Sequence, residues 1–137
     1  MIATKFQRLD GVRVLVVDDN RDARELVTLM VKNAGATVQD AGHADHACAI
    51  VQRWKPDIIV SDLHMPDQDG YAFMKRIRGL SKEEGGQIPA IAITGHGPVD
   101  RLMAFRSGFQ NYIRKPINKE ELLLTIASLT VGTQGES

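Results

Sequence analysis

Two kinds of apolar pattern alternate along the chain. Continuous runs occupy Val12–Val17, interrupted only by Arg13, then Ile58–Val60 and Ala90–Ile93, and a polar cluster follows each. Weaker apolar segments surround Val38 in "GATVQDA" and occupy "NYIRK", Asn111–Lys115. Short β-branched runs of this kind fit strands buried on both faces, as in a parallel sheet.

Between the runs the spacing becomes helical. Ala23, Leu26, Val27, Met30 and Val31 form one stripe, with Asn20 suited to the N-cap and Gly35 to the C-terminal stop. Ala47, Ile50, Val51 and Trp54 form a second, closed by Pro56; Phe73, Ile77 and Leu80 form a third. Val99, Leu102 and Met103 begin a fourth. The last helix opens at Asn118, with Glu121 at the spacing of a capping box, before Leu122, Ile126 and Leu129. Strands and helices in alternation predict an open, doubly wound α/β sandwich. In such folds ligands bind beyond the carboxyl ends of the strands, where the strand order reverses.

Length and composition narrow the reading. A chain of 137 residues is long enough for one domain with a full core. The expected division is a leader over 1–10, the domain over 11–131 and a polar tail over 132–137. "SKEEGGQIP", Ser81–Pro89, reads as a surface loop and not as a boundary. The 17 basic and 17 acidic residues cancel, so the clustered positive charge of a nucleic-acid module is not expected. The lone Cys48 has no internal disulfide partner and lies on the apolar side of its helix, as a small core residue would. No apolar run approaches a membrane span, and "MIATKFQRLDG" lacks a signal-peptide stretch, so a cytoplasmic protein with no direct membrane contact is expected.

The chemistry gathers at the predicted strand ends. The first strand runs into Asp18 and Asp19, the third ends on Asp62, the fourth on Thr94 and the fifth on Lys115. Adjacent carboxylates repel and resist leaving water, so three at one sheet edge call for a cation. A hard, oxygen-rich site that keeps some waters suits Mg2+. Beside a metal, a carboxylate can serve as nucleophile towards phosphorus, and phosphoryl transfer needs little more than alignment and charge neutralisation. The set therefore reads as a phosphoryl acceptor. A dinucleotide site is disfavoured, because "DDNRDA" stands where a glycine-rich phosphate loop belongs and its carboxylates would repel a pyrophosphate.

These residues, in this order, resemble the receiver domain of two-component signalling, the CheY-like module of response regulators and hybrid histidine kinases. The likeness covers roughly Val12 to Leu129. It implies a flavodoxin-like (βα)5 sandwich with a five-stranded parallel sheet in the order 2-1-3-4-5. It implies Asp62, in "SDLHMPDQDG", as the phosphoacceptor, with Pro66 and Gly70 in the following loop. Mg2+ would be held by Asp19, by Asp18 mainly through water, by Asp62 and by the backbone carbonyl of His64. Thr94 and Lys115 would contact the phosphoryl group, the Lys115–Pro116 bond is typically cis in the family, and Tyr112 falls at the place of the aromatic switch.

The same resemblance implies partners and output. A sensor histidine kinase or a histidine phosphotransfer protein would donate the phosphoryl group. The surface of the fourth helix, fifth strand and fifth helix, about Val99 to Leu129 and including Phe105, Phe109, Leu123 and Leu124, would then engage a downstream protein or a second copy. Such a module is a signalling device that catalyses its own phosphorylation and dephosphorylation, and not an enzyme with turnover. It would stand alone or end a hybrid kinase. His43 and His46 read as a solvated face, whereas His64 and His96, two residues beyond Asp62 and Thr94, are expected to make dephosphorylation pH-dependent near neutrality. Two alternatives stay open. An aspartyl-phosphate hydrolase of the haloacid dehalogenase type wants a second aspartate two residues after its nucleophile, where His64 or Asn20 stands here. A phosphorylation-independent scaffold usually lacks part of the acidic and lysine set that this chain keeps.

Overall fold

The structure is a computed structural model that describes residues 7–65, 69–95 and 97–134; Pro66 and His96 lie outside the described residues. The elements follow one another as β1 (Arg13–Val17), α1 (Arg21–Asn33), β2 (Thr37–Ala41), α2 (Ala44–Trp54), β3 (Ile58–Asp62), α3 (Gly70–Arg78), β4 (Ala90–Thr94), α4 (Pro98–Ser107), β5 (Asn111–Arg114) and α5 (Lys119–Gln134). Within the loop read from Ser81 to Pro89, Lys82–Glu84 forms a single 3-10 turn closed by a capping box between Ser81 and Glu84.

All strands are parallel, in the expected order β2-β1-β3-β4-β5. Successive strand residues point to opposite faces and feed two cores. Leu15, Val17 and Ile59 face α2 and α3 through Ala47, Val51, Phe73 and Ile77. Val14, Val16, Ile58 and Val60 face α1 and α5 through Val27, Val31, Leu122 and Ile126. Arg13 breaks the first apolar run without cost to the core. Its guanidinium donates to the carbonyls of Trp54 and Lys55 and lies over the Trp54 ring, while its N–H donates to Asp57.

Helix starts follow the side-chain chemistry. Asn20 accepts from the Ala23 N–H at 2.8 Å, Asp69 from the Ala72 N–H at 2.8 Å and Asn118 from the Glu121 N–H at 2.9 Å. Past α1, Gly35 takes the left-handed conformation (φ +104°) that ends helices. His43 is also an N-cap, its Nδ1 accepting from the Asp45 N–H at the start of α2. Cys48 is buried, as expected.

Three expectations need correction. Leu26 is exposed: α1 packs through Val27 and Val31, which leaves Leu26 on the outer side of the stripe. In α4 the expected stripe is turned outward, with Val99 75% and Leu102 52% exposed. That helix buries Ala104 and Ser107 instead, small residues that let it lie close to its neighbours. Finally, Leu9, within the segment read as a leader, is buried in the core, and its N–H donates to the Ala34 carbonyl at 2.7 Å.

Candidate functional site

The sheet brings the predicted residues to one edge. After β1 the chain turns aside to β2, then crosses back to β3 on the other flank of β1, so the carboxyl ends of β1 and β3 lie side by side, with Val17 opposite Ser61. Each strand carries its acidic end one or two residues further. Asp18, Asp19 and Asp62 each present an oxygen within 4.8 Å of the others. Asp18 and Asp62 are 6% exposed, whereas Asp19 opens to solvent.

Burial pushes the Asp18 carboxyl above the usual carboxylate range, and repulsion from Asp62 and Asp19 adds to it, against the Asn20 N–H and Lys115. An oxygen cluster whose members disfavour one another's charge is chemically fit for a hard divalent cation, and these three side chains would hold it. Lys115 supplies the opposite charge, with Nζ 3.2 Å from Asp62 Oδ1. It stands one residue beyond β5, and its bond to Pro116 is cis.

The loop after β3 is drawn tight around Asp62. The Gly70 N–H donates to the Leu63 carbonyl at 2.8 Å. A Cβ on Gly70 would fall 2.4 Å from the Asp62 carbonyl oxygen, so only glycine fits where α3 meets the strand end.

Thr94 is fully buried at the end of β4, and its hydroxyl donates to Asp100 Oδ2 at 3.0 Å. The same Asp100 carboxylate meets His64 Nε2 at 2.9 Å and accepts from the Tyr71 hydroxyl at 2.7 Å. Burial alone would raise the Asp100 pKa, but the bonds to His64, Tyr71 and Thr94 together outweigh it and hold the group below the usual carboxylate range. The Tyr71 hydroxyl is pushed up, first by burial and then by its bond to Asp100. Asp100 and Tyr71 escaped the sequence reading. An acidic residue in a helix's first turn is ordinary, and nothing local in the sequence signals that it receives three side chains.

Tyr112 is half-buried in β5, and its hydroxyl reaches the Gly97 carbonyl at the start of α4 at 3.4 Å. It lines a cavity of about 290 Å3 between α4, β5 and α5, with Arg101, Phe105, Asn111, Arg114 and Glu121. Of the other apolar residues expected on this surface, Phe105 and Leu124 are exposed, whereas Phe109 and Leu123 belong to the core.

The Response regulator receiver domain family matches residues 14–127. An uncharacterised 14.6 kDa protein of Leptolyngbya boryana is 41% identical over 119 residues, covering 86% of this chain and 89% of that protein. PilH of Pseudomonas aeruginosa is 31% identical over 122 residues, covering 88% and 98%. The chain spans about half the length of several transcriptional regulators that it also matches, among them RpaA of Synechocystis, of which it covers 48%. Among solved structures, the receiver domain of the sensor histidine kinase PA1611 of Pseudomonas aeruginosa superposes with a TM-score of 0.80 at 28% identity, over 89% of this chain and 98% of that one. That structure has a magnesium ion coordinated in its active-site cleft. With the family's model matched over residues 14–127 and five parallel strands in the family's order, this chain belongs to the receiver-domain family of two-component response regulators.

Proposed function

We propose that the chain is a phosphoacceptor: Asp62 takes a phosphoryl group from a phosphohistidine, with Mg2+ bound among Asp18, Asp19, Asp62 and the His64 backbone carbonyl. The observation that carries this reading is the buried Asp62 carboxylate, paired with Lys115 at 3.2 Å and clustered with two further carboxylates.

In the reaction an Asp62 oxygen attacks phosphorus, an O–P bond forms, and the N–P bond of the phosphohistidine breaks with its electron pair leaving on the imidazole. Lys115 shifts from the Asp62 carboxylate to an oxygen of the new aspartyl phosphate, and the Thr94 hydroxyl donates to another. When bound, Mg2+ supplies the charge neutralisation that lets a dianionic donor approach three carboxylates. Water attack on phosphorus returns Asp62 to its carboxylate and releases inorganic phosphate, so the chain resets itself after each phosphoryl group taken from the donor.

The donor is a sensor histidine kinase or a histidine phosphotransfer protein. The receiver of the phosphorylated state is a protein, or a second copy, that docks on α4, β5 and α5, with Tyr112 as the residue that reports the change there. The exposed Val99, Leu102 and Phe105 support that surface. No helix among the described residues is long and apolar enough to cross a membrane.

Phosphoramidate tests the reading, since its P–N bond copies that of the natural donor. After incubation with Mg2+, proteolysis should return one modified peptide, carrying Asp62, whose modification hydroxylamine removes. A modification on histidine, or none, would overturn it.

A further inference from the structure

The Thr94 hydroxyl has one proton to donate, and the Asp100 carboxylate stands ready to accept it, with Oδ2 3.0 Å from the hydroxyl oxygen. We propose that Asp100 is a latch on the unphosphorylated state: it holds the β4 hydroxyl away from the phosphoryl position and ties it to the first turn of α4. The proposal rests on the phosphoacceptor reading, because the hydroxyl that Asp100 holds is the one the phosphoryl group needs.

Three features support it. First, the carboxylate is a convergence point. It joins the loop after Asp62 through His64, α3 through Tyr71 and β4 through Thr94, at 2.9, 2.7 and 3.0 Å. His64 and Tyr71 also pack edge to face, which fixes both donors. Second, the Asp100 side chain is 13% exposed, so water competes poorly for its lone pairs. Third, the start of α4 also meets β5, but through a longer contact than the Asp100 bonds, the Tyr112 hydroxyl 3.4 Å from the Gly97 carbonyl. The N-cap of α4, Gly97, gives no side-chain cap, and the helix buries Ala104 and Ser107, both in its second half.

Phosphorylation of Asp62 and the Asp100 bond therefore exclude each other at Thr94. When the hydroxyl turns to a phosphoryl oxygen, Asp100 loses one of its three donors while new negative charge arrives at the same strand edges. The first turn of α4 is then freed to shift, together with the exposed Val99 and Leu102 that it carries. Asp100 is a positioning residue in this scheme. It acts through Thr94 and touches no reacting atom.

A cycle of Asp100→Asn, Thr94→Val and the double variant tests the latch. In urea unfolding of the unphosphorylated chain, the double variant should lose less than the two singles added together; strict additivity would show that the bond does not couple the pair. In the second arm, initial rates of adduct formation from phosphoramidate and Mg2+ are compared. Asp100→Asn, which leaves Thr94 only a neutral amide oxygen as acceptor, should react roughly tenfold faster than wild type, the scale of weakening one bond from a charged to a neutral acceptor, and should have no effect in the Thr94→Val background. A merely structural role for Asp100 would slow the reaction instead. Unchanged or slower phosphorylation overturns the latch, as does equal acceleration with and without the hydroxyl, which would reveal a simple charge effect. An unreactive wild type would overturn the phosphoacceptor reading itself, whereas a reactive wild type with an additive cycle would overturn only the latch.

Discussion

Lys115 Nζ sits 3.2 Å from Asp62 Oδ1, although β4 lies between the strands that lead to them. The pair bridges the sheet edge because parallel strands bring every carboxyl end to the same side. Lys115→Ala should leave Asp62 in place and slow phosphoryl transfer by roughly a hundredfold, the usual effect of losing one preorganised charge contact. Stopped-flow or quenched assays with phosphoramidate would measure it. A rate within twofold of wild type would mean that the ammonium is a bystander.

Asp18 should cost stability when no metal is bound. Its folded-state pKa is raised, chiefly by burial. A raised acid favours folding while protonated, and that contribution is lost as pH rises through the folded pKa. In EDTA, Asp18→Asn should therefore melt a few degrees above wild type at neutral pH, and the gap should close as pH falls below the ordinary carboxylate value of about 4. Mg2+ should raise the melting temperature of wild type and have little effect on the variant. A variant less stable than wild type in EDTA at pH 7 would contradict the burial argument.

Gly70→Ala tests the close approach behind Asp62. Its Cβ would meet the Asp62 carbonyl oxygen at 2.4 Å, so the strand end or the start of α3 must move. The expected loss is about 1–3 kcal/mol in urea unfolding, with slower phosphorylation because the nucleophile is carried along. Wild-type stability and rate would show that the junction relaxes freely.

On α4, the two faces should answer oppositely. Leu102→Ser, on an exposed side chain, should change stability by no more than about 0.5 kcal/mol. Ala104→Leu, at a fully buried site, should cost about 1–3 kcal/mol. Urea unfolding of the pair decides which face packs inward, and only the Leu102 variant should weaken association of the phosphorylated chain through this surface.

That reversal shows where sequence pattern stops being informative. β1 and β3 were readable because runs such as Val14–Val17 and Ile58–Val60 are apolar on both faces, which only a covered parallel sheet tolerates. Asp18, Asp19, Asp62, Thr94 and Lys115 stood out because each follows such a run, and topology then gathers them. In α4 the rule that apolar residues face inward failed. Ala104 and Ser107 pack because they are small, while Val99 and Leu102 stay outside, so hydrophobicity points to the wrong face. Asp100 was invisible for another reason. Its three partners lie 6, 29 and 36 residues away, and their meeting is a product of tertiary structure alone.

The central claim is that Asp62 accepts a phosphoryl group in a Mg2+-dependent reaction. Intact mass after incubation with a small phosphodonor tests it most directly, on wild type with Mg2+, on wild type in EDTA and on Asp62→Asn with Mg2+. The account predicts a single phosphoryl adduct in the first sample and none in the other two. An adduct that survives EDTA or the Asp62→Asn substitution, or no adduct on folded wild type with Mg2+, would contradict it.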